Sequence, residues 1–150
     1  MLSIHSDEHF MRQAYRLAER AFEEDEIPIG AVIVNEGLII GKGYNQSERL
    51  SDPTAHAEMI AITAACEYMG HKYLPECTLY VTVEPCPMCA GALRWAQIGR
   101  IVYGASEPKV GHSRHNPSLL HPRTEIIGGI MEAECAAIMK EFFLKRRELK

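Results

Sequence analysis

Residues 79–97, with the sequence LYVTVEPCPMCAGALRWAQ, decide the fold. The short apolar run at 79–83 predicts a buried strand. Pro87 suits the first position of a helix, because proline lacks the N–H group that is unsatisfied there. A helix is therefore predicted over about 87–97, closed near Gly99. A strand that is followed at once by a helix is typical of an α/β protein.

The segments on the amino-terminal side continue this pattern. Apolar residues at helical spacing predict an amphipathic helix over 7–24, and a stretch rich in alanine and other apolar residues predicts a buried helix over 55–69. Residues 29–34 and 38–44 are predicted to be two strands. Asn35-Glu36-Gly37 suits a hairpin turn between the two strands. Thr54 is a candidate N-cap of the second helix, and Gly70 is expected to end it.

On the carboxyl-terminal side, residues 100–104 predict a strand and residues 130–147 a closing helix. Residues 105–123 contain three prolines and several histidines, so we interpret them as mostly loop, and 124–127 is a candidate last strand. Alternating strands and helices after a hairpin predict a mixed sheet covered by helices on both faces, with another α/β arrangement as the alternative. The length of 150 residues predicts a single domain over 1–150.

Composition narrows the class of protein further. The chain is 47% hydrophobic and 24% charged, as expected for a globular domain, and no apolar run is long enough to span a membrane. The first ten residues lack the pattern of a signal peptide, so we expect a cytoplasmic protein without membrane contact. Five cysteines without an export signal indicate reduced thiols or metal ligands, and Cys66, Cys77 and Cys135 are interpreted as core residues.

Four residues suggest hydrolytic zinc chemistry. Cys86 and Cys89 share one face at the start of a predicted helix, and His56 stands at the start of another. One imidazole and two thiolates make three zinc ligands, and a catalytic zinc site keeps its fourth position open for water. Glu58, two residues beyond His56, is poorly placed to bind the same metal but is well placed to move protons as a general base and acid. The sequence therefore predicts catalytic Zn²⁺.

These motifs resemble those of the cytidine-deaminase-like superfamily, whose zinc signature they match. Within it, the chain resembles the branch that converts the wobble adenosine of a tRNA anticodon to inosine. The resemblance covers nearly the whole chain and is found in EIPIGAV at 26–32, DPTAHAE at 52–58, LYVTVEPC at 79–86, MCAGA at 88–92, and the closing helix from ECAA at 134–137 to Arg146-Arg147. The closing helix, more than the zinc motif, indicates the tRNA branch.

The resemblance implies a fold, an assembly and roles for particular residues. It implies a three-layer α/β/α fold with a five-stranded mixed sheet, and a homodimer. Zinc would be held by His56, Cys86 and Cys89, with Glu58 moving protons while activated water attacks C6 of adenine. Asn45 and the backbone amide of Ala57 would bind the target nucleoside in the anticodon loop.

Two other functions stay open from the sequence. The net charge of −4 does not indicate a nucleic-acid binder, and residues 94–96 also resemble free guanine deaminases, so a free nucleobase or nucleoside of guanine or cytosine type is the alternative substrate. A non-catalytic module with structural zinc would need a fourth ligand, for which the candidates are His71, His112, His115 and His121. If the substrate is RNA, its phosphates would be bound by basic side chains, for which the candidates are Arg114, Arg123, Lys140, Lys145, Arg146, Arg147 and Lys150.

Overall fold

The computed structural model describes residues 6–109, 111–112 and 118–148. Four helices and five strands follow one another along this part of the chain: α1 (Asp7–Glu23), β1 (Gly30–Asn35), β2 (Leu38–Tyr44), α2 (Ala57–Met69), β3 (Thr78–Val83), α3 (Pro87–Ala96), β4 (Arg100–Ala105), β5 (Glu125–Ile127) and α4 (Glu132–Glu148). Each predicted helix and strand is present, with ends that differ by at most about two residues. None of the described helices has the length and apolar character that crossing a membrane requires.

The strands form one mixed sheet in the order β2-β1-β3-β4-β5. β1 pairs antiparallel with both β2 and β3, whereas β3, β4 and β5 are parallel. Glu36 and Gly37 form the two-residue hairpin turn between β1 and β2, both with positive φ angles of 51° and 78°. This conformation matches the right-handed twist of the flanking strands. The predicted five-stranded mixed sheet is confirmed.

Helices cover both faces of the sheet, which gives the expected three layers. On one face, α1 and α4 enclose a core that includes Phe10, Met11, Val102 and Cys135. On the other face, α2 and α3 pack over a core that includes Ile33, Leu79, Leu93 and Ile101. Because β3 and β4 are buried on both faces, their apolar runs are nearly continuous.

Two glycines in β2 set how closely α2 approaches the sheet. A Cβ atom on Gly41 would lie 2.5 Å from the backbone oxygen of Ala61, and one on Gly43 would lie 2.3 Å from that of Ala57. Both distances are far shorter than a carbon–oxygen contact allows. The start of α2, where His56 and Glu58 lie, is therefore placed by direct backbone contact with β2.

The structure corrects one interpretation of a single residue and places the tryptophan and the unassigned cysteines. Thr54 does not cap α2, because the helix begins after His56, and the Thr54 hydroxyl instead donates to Asp52 Oδ1 at 2.7 Å. Trp95, in the last turn of α3, is 82% exposed. Cys77 and Cys135 lie in the core as predicted, while Cys66 is only partly buried.

Asp7 joins the start of α1 to the sheet. Its carboxylate accepts two hydrogen bonds from the Arg100 guanidinium, at 2.8 and 2.7 Å, and a third from the Tyr80 hydroxyl at 2.8 Å. The bond to Arg100 holds the pKa of Asp7 below its ordinary value. Bidentate pairing of this kind fixes geometry as well as charge, so α1 is held in register with β3 and β4.

Candidate active site

The candidate active site lies where two helices begin. α2 begins immediately after His56, and α3 begins immediately after Cys86, with Pro87 in its first turn. His56 and Cys86 are the N-cap residues, with extended backbone, yet neither side chain caps its own helix. Both side chains therefore remain available to bind something else. Cys89 lies one turn further along α3, on the same face as Cys86.

The imidazole and the two thiols converge in a geometry that suits zinc. His56 Nδ1 lies 3.6 Å from Cys86 Sγ and 3.4 Å from Cys89 Sγ. All three potential ligand atoms lie within 4.8 Å of one another. Tetrahedral zinc with ordinary bond lengths would separate its nitrogen and sulfur ligands by about 3.6 Å. The donor set and its spacing therefore fit a zinc ion.

The three side chains perturb one another's protonation. The hydrogen bond from Cys89 lowers the pKa of the Cys86 thiol to about 4, and His56 contributes in the same direction. The bond to Cys86 raises the pKa of the His56 ring, and sharing a proton with Cys86 raises the pKa of Cys89. One thiolate is thus favoured by the protein alone. A bound metal cation would favour the second, because a coordinating thiol is deprotonated.

Glu58 is a buried carboxyl group beside this cluster. It is the second residue of α2 and only 3% exposed. Burial raises the pKa of its carboxyl group to about 7, and the nearby Cys86 contributes further. Glu58 is close enough to Cys89 for a hydrogen bond but is not a member of the cluster of three ligand atoms. Glu58, the predicted proton carrier, therefore lies beside the three potential ligand atoms without being one of them.

The predicted substrate-binding residues, Asn45 and Ala57, lie at the end of β2 and at the start of α2, which packs directly on β2. Asn45 directly follows β2, is 5% exposed, and accepts a hydrogen bond from the Ser47 amide through Oδ1. The amide of Gln46 donates to Ala55, which brings the Asn45 loop back to the residue before His56. Ala57 is the first residue of α2, so its N–H group has no acceptor within the helix.

Glu26 holds the Asn45 loop, a role that sequence reasoning missed. Its carboxylate is 1% exposed and accepts hydrogen bonds from the backbone amides of Glu48 at 3.0 Å and Arg49 at 2.7 Å. The available signal was a glutamate that directly precedes the apolar run at 27–29. A charged residue next to buried strand residues usually has partners that satisfy its charge.

Three of the four histidines proposed as a fourth zinc ligand lie in the described part of the chain, and they are placed outside the cluster. Within the described ranges, the metal-binding cluster contains only His56, Cys86 and Cys89. His71 is exposed, His121 accepts a hydrogen bond from the Arg123 amide, and His112 lies against Glu84. His115 lies outside the described residues. Three ligands and a neighbouring acid are typical of catalytic zinc and not of structural zinc.

This fold and this cluster define a zinc-dependent deaminase. The chain belongs to the family described as cytidine and deoxycytidylate deaminase, whose zinc-binding region matches residues 4–105. Members of this class are hydrolytic enzymes that use zinc.

Within that class, the chain belongs to the same family as the proteins named tRNA-specific adenosine deaminase. The relative from Agrobacterium fabrum is 42% identical over 144 residues, which cover 93% of this chain and 95% of the relative. A solved structure from a study of A-to-I editing by tRNA:A34 deaminases at the wobble position is 43% identical. It covers 87% of this chain and 98% of its own, with a TM-score of 0.81.

A solved guanine deaminase from Bacillus subtilis is also similar, but over less of the chain. It is 44% identical, covers 67% of this chain and 65% of its own, and has a TM-score of 0.64. The adenosine deaminases therefore match this chain over nearly its full length, and the guanine deaminase over two thirds.

Proposed function

We propose that this protein deaminates adenosine to inosine at the wobble position of a tRNA anticodon. The observation that carries the proposal is the buried Glu58 beside the His56, Cys86 and Cys89 cluster, in a chain that matches a named tRNA-specific adenosine deaminase over 93% of its length. The chemistry of the site supports hydrolysis. The extent of the similarity supports the substrate.

Each residue of the site has a part in the proposed reaction. His56, Cys86 and Cys89 hold zinc, which when bound lowers the pKa of a coordinated water towards about 7. Glu58 takes a proton from water and delivers it to N1 of adenine, and a later proton leaves with ammonia. Asn45 and the amide of Ala57 hold the nucleoside. The target base leaves its stack to enter the site, which costs little in a single-stranded loop.

Basic residues near the carboxyl end of α4 provide a surface for RNA phosphates. Lys145 and Arg146 lie over the rings of Phe22 and Phe142, at 4.8 and 4.9 Å from the ring centroids. Arg146 also donates to the backbone oxygen of Asp25 at 2.8 Å. These contacts anchor the cations while leaving them exposed. Of the other predicted phosphate contacts, Lys140 and Arg147 also lie on α4 and Arg123 lies in the loop before β5, whereas Arg114 and Lys150 lie outside the described residues.

A second candidate function is deamination of a free base, with guanine first. The similarity to the Bacillus subtilis guanine deaminase over two thirds of the chain favours it, as does the net charge of −4. This candidate keeps the same zinc ligands and the same proton carrier. The second candidate differs because a free base has no phosphates for the basic residues of α4 to bind.

Ammonia release across substrates and salt concentrations distinguishes the two functions. We expect turnover of a tRNA anticodon stem-loop with adenosine at the wobble position, and none with guanine, cytosine or adenosine. The kcat/KM for RNA should fall about tenfold or more over a fourfold rise in salt, because even three phosphate contacts release counterions. Turnover of guanine that is indifferent to salt, with no inosine formed in RNA, would establish the second candidate instead.

We also propose that the protein is a homodimer that works in the cytoplasm. An exposed apolar groove between α2 and α3 supports the dimer, since Trp95 is 82% exposed and Tyr73 40% exposed. The groove is lined by these two side chains together with Ile62, Cys66, Lys72, Ala92 and Ala96. Contiguous apolar surface of this kind is typical of protein interfaces. A tRNA substrate and free cysteines both suit the cytoplasm.

Trp95→Glu is expected to convert the dimer to monomers, because it places a charge in the centre of the proposed interface. Sedimentation velocity at matched concentrations measures the change. Leu38→Glu is the control, since Leu38 is also an exposed large apolar residue, 54% exposed, but lies in the β1–β2 hairpin. A wild-type monomer, or a Trp95→Glu protein that remains dimeric, would contradict the proposed assembly.

A further inference from the structure

Glu84 and His112 form a buried pair next to the zinc-binding turn. Glu84 directly follows β3, two residues before Cys86, and its side chain is 2% exposed. His112 lies after β4, and its Nδ1 is 3.1 Å from Glu84 Oε2, with the side chain 9% exposed. Among the described residues, the buried Nδ1 atom of His112 makes no hydrogen bond, so its contact with Glu84 is one of proximity and charge. A carboxylate and an imidazole thus meet at a buried position that the reaction itself does not use.

The Glu84 carboxylate organises the segment that follows β4, which we call the rim segment (residues 105–109 and 111–112). Its Oε1 accepts a hydrogen bond from the Glu107 amide at 2.9 Å, and the Glu84 amide donates to Ala105 at 2.8 Å. The segment turns back through a bond from the Gly111 amide to the Glu107 oxygen at 2.9 Å. A Cβ atom on Gly111 would lie 2.5 Å from Glu84 Cδ. The rim segment therefore wraps closely around this carboxylate.

The same pair connects the rim segment to the zinc ligands. The His112 amide donates to the Pro85 oxygen at 2.9 Å, one residue before Cys86. β3 and β4 are parallel, so both the zinc turn and the rim segment leave the sheet at the same edge. Ligands of open α/β sheets bind at this carboxyl edge of the strands. The rim segment also carries the exposed Lys109.

We propose that Glu84 and His112 are positioning residues that hold the rim segment beside the zinc turn as part of the surface that binds the polynucleotide. The inference rests on the proposed function, because a free base would not extend beyond the site. The two residues act on binding and not on proton transfer. Neither side chain would contact the reacting base. Glu84 holds the start of the rim segment through the Glu107 amide, and His112 holds its end beside Pro85.

His112→Ala tests this role, with His112→Gln as the conservative variant and His71→Ala as the control at an exposed histidine. We expect His112→Ala to raise the KM for an anticodon stem-loop on the order of tenfold, as for loss of one buried polar contact, with kcat at saturation within about twofold. Tryptic cleavage after Lys109 should accelerate, zinc should stay at one per chain, and His112→Gln should recover most of the affinity.

Several results would overturn the assignment. These are a fall in kcat without a change in KM, loss of zinc, or unchanged KM and unchanged cleavage after Lys109 in His112→Ala. If His112→Ala does not fold, Glu84→Gln keeps the test open, since its side-chain oxygen can still accept the hydrogen bond from the Glu107 amide while the charge facing His112 is removed. The KM of Glu84→Gln for the stem-loop should also rise. Wild-type protein that fails to deaminate the stem-loop would overturn the proposed function and this inference together, whereas an active wild type with indifferent variants would overturn this inference alone.

Discussion

Glu58→Gln should abolish ammonia release while leaving zinc bound. Glutamine keeps the size of the side chain and its capacity to accept a hydrogen bond, but it cannot take up and deliver a proton. General acid–base groups contribute about 10²- to 10⁴-fold to rate, so kcat should fall at least about 10³-fold when one group serves both proton transfers. Ammonia release and zinc content are measured on the same preparation.

Glu67→Gln is the matched control. Glu67 lies on the same helix, α2, but is exposed, so the same chemical change should leave turnover unaltered. Tight RNA binding by Glu58→Gln would separate chemistry from recognition, because the substrate would bind without being consumed. Normal turnover by Glu58→Gln protein with a full complement of zinc would show that another group moves the proton.

Much of the fold follows from periodicity that is visible in the sequence. α1 was predicted because one face of the helix is apolar, and the β1–β2 hairpin because β1 is a short apolar run and the turn chemistry at Glu36-Gly37 is local. The end of α2 was predicted for the same reason, since Gly70 adopts the positive φ of 77° that a helix end favours. The strand order could not be derived in this way. It depends on contacts between distant segments, and the resemblance to a family supplied only the number of strands and the mixed character of the sheet.

The residues of the site that could be predicted are those whose side chains have a strong chemical preference, such as the preference of imidazole and thiolate for zinc. His56, Cys86 and Cys89 have ligand atoms that zinc prefers, and their placement at helix starts was readable from Pro87 and from the spacing of the thiols. Thr54 shows the limit of this reasoning. Its hydroxyl had two competing partners, the α2 backbone and the Asp52 carboxylate, and the nearer carboxylate prevails in the structure.

Buried carboxylates were the hardest feature to predict. Glu26 and Glu84 bind backbone amides of loops that are 22 and 23 residues away in sequence. No periodic pattern reports such contacts, because a loop has no repeating face. The exposure of Trp95 is hard to predict for a different reason. A tryptophan on a helix is usually well buried within one chain, but this one is exposed on an apolar groove. Its burial would depend on a second protein surface.

Cys86→Ser is expected to remove both zinc and activity. A serine hydroxyl is close in size to a thiol, but it does not ionise at neutral pH, so the cluster loses the ligand whose pKa the protein lowers most. With two protein ligands left, we expect zinc content well below one per chain and turnover reduced at least about 10³-fold. Atomic absorption and ammonia release measure the two effects.

Cys66→Ser distinguishes this effect from the general loss of a thiol. Cys66 is a free, partly buried cysteine on α2 that does not belong to the metal-binding cluster. It should keep one zinc per chain and turnover close to that of the wild type. Chelation should reproduce the Cys86→Ser result in the wild-type protein, and added zinc should restore activity to the chelated wild type but not to Cys86→Ser. Full activity in Cys86→Ser with less than stoichiometric zinc would mean that the reaction does not need this metal, and the roles assigned to His56 and Cys89 would be lost with that of Cys86.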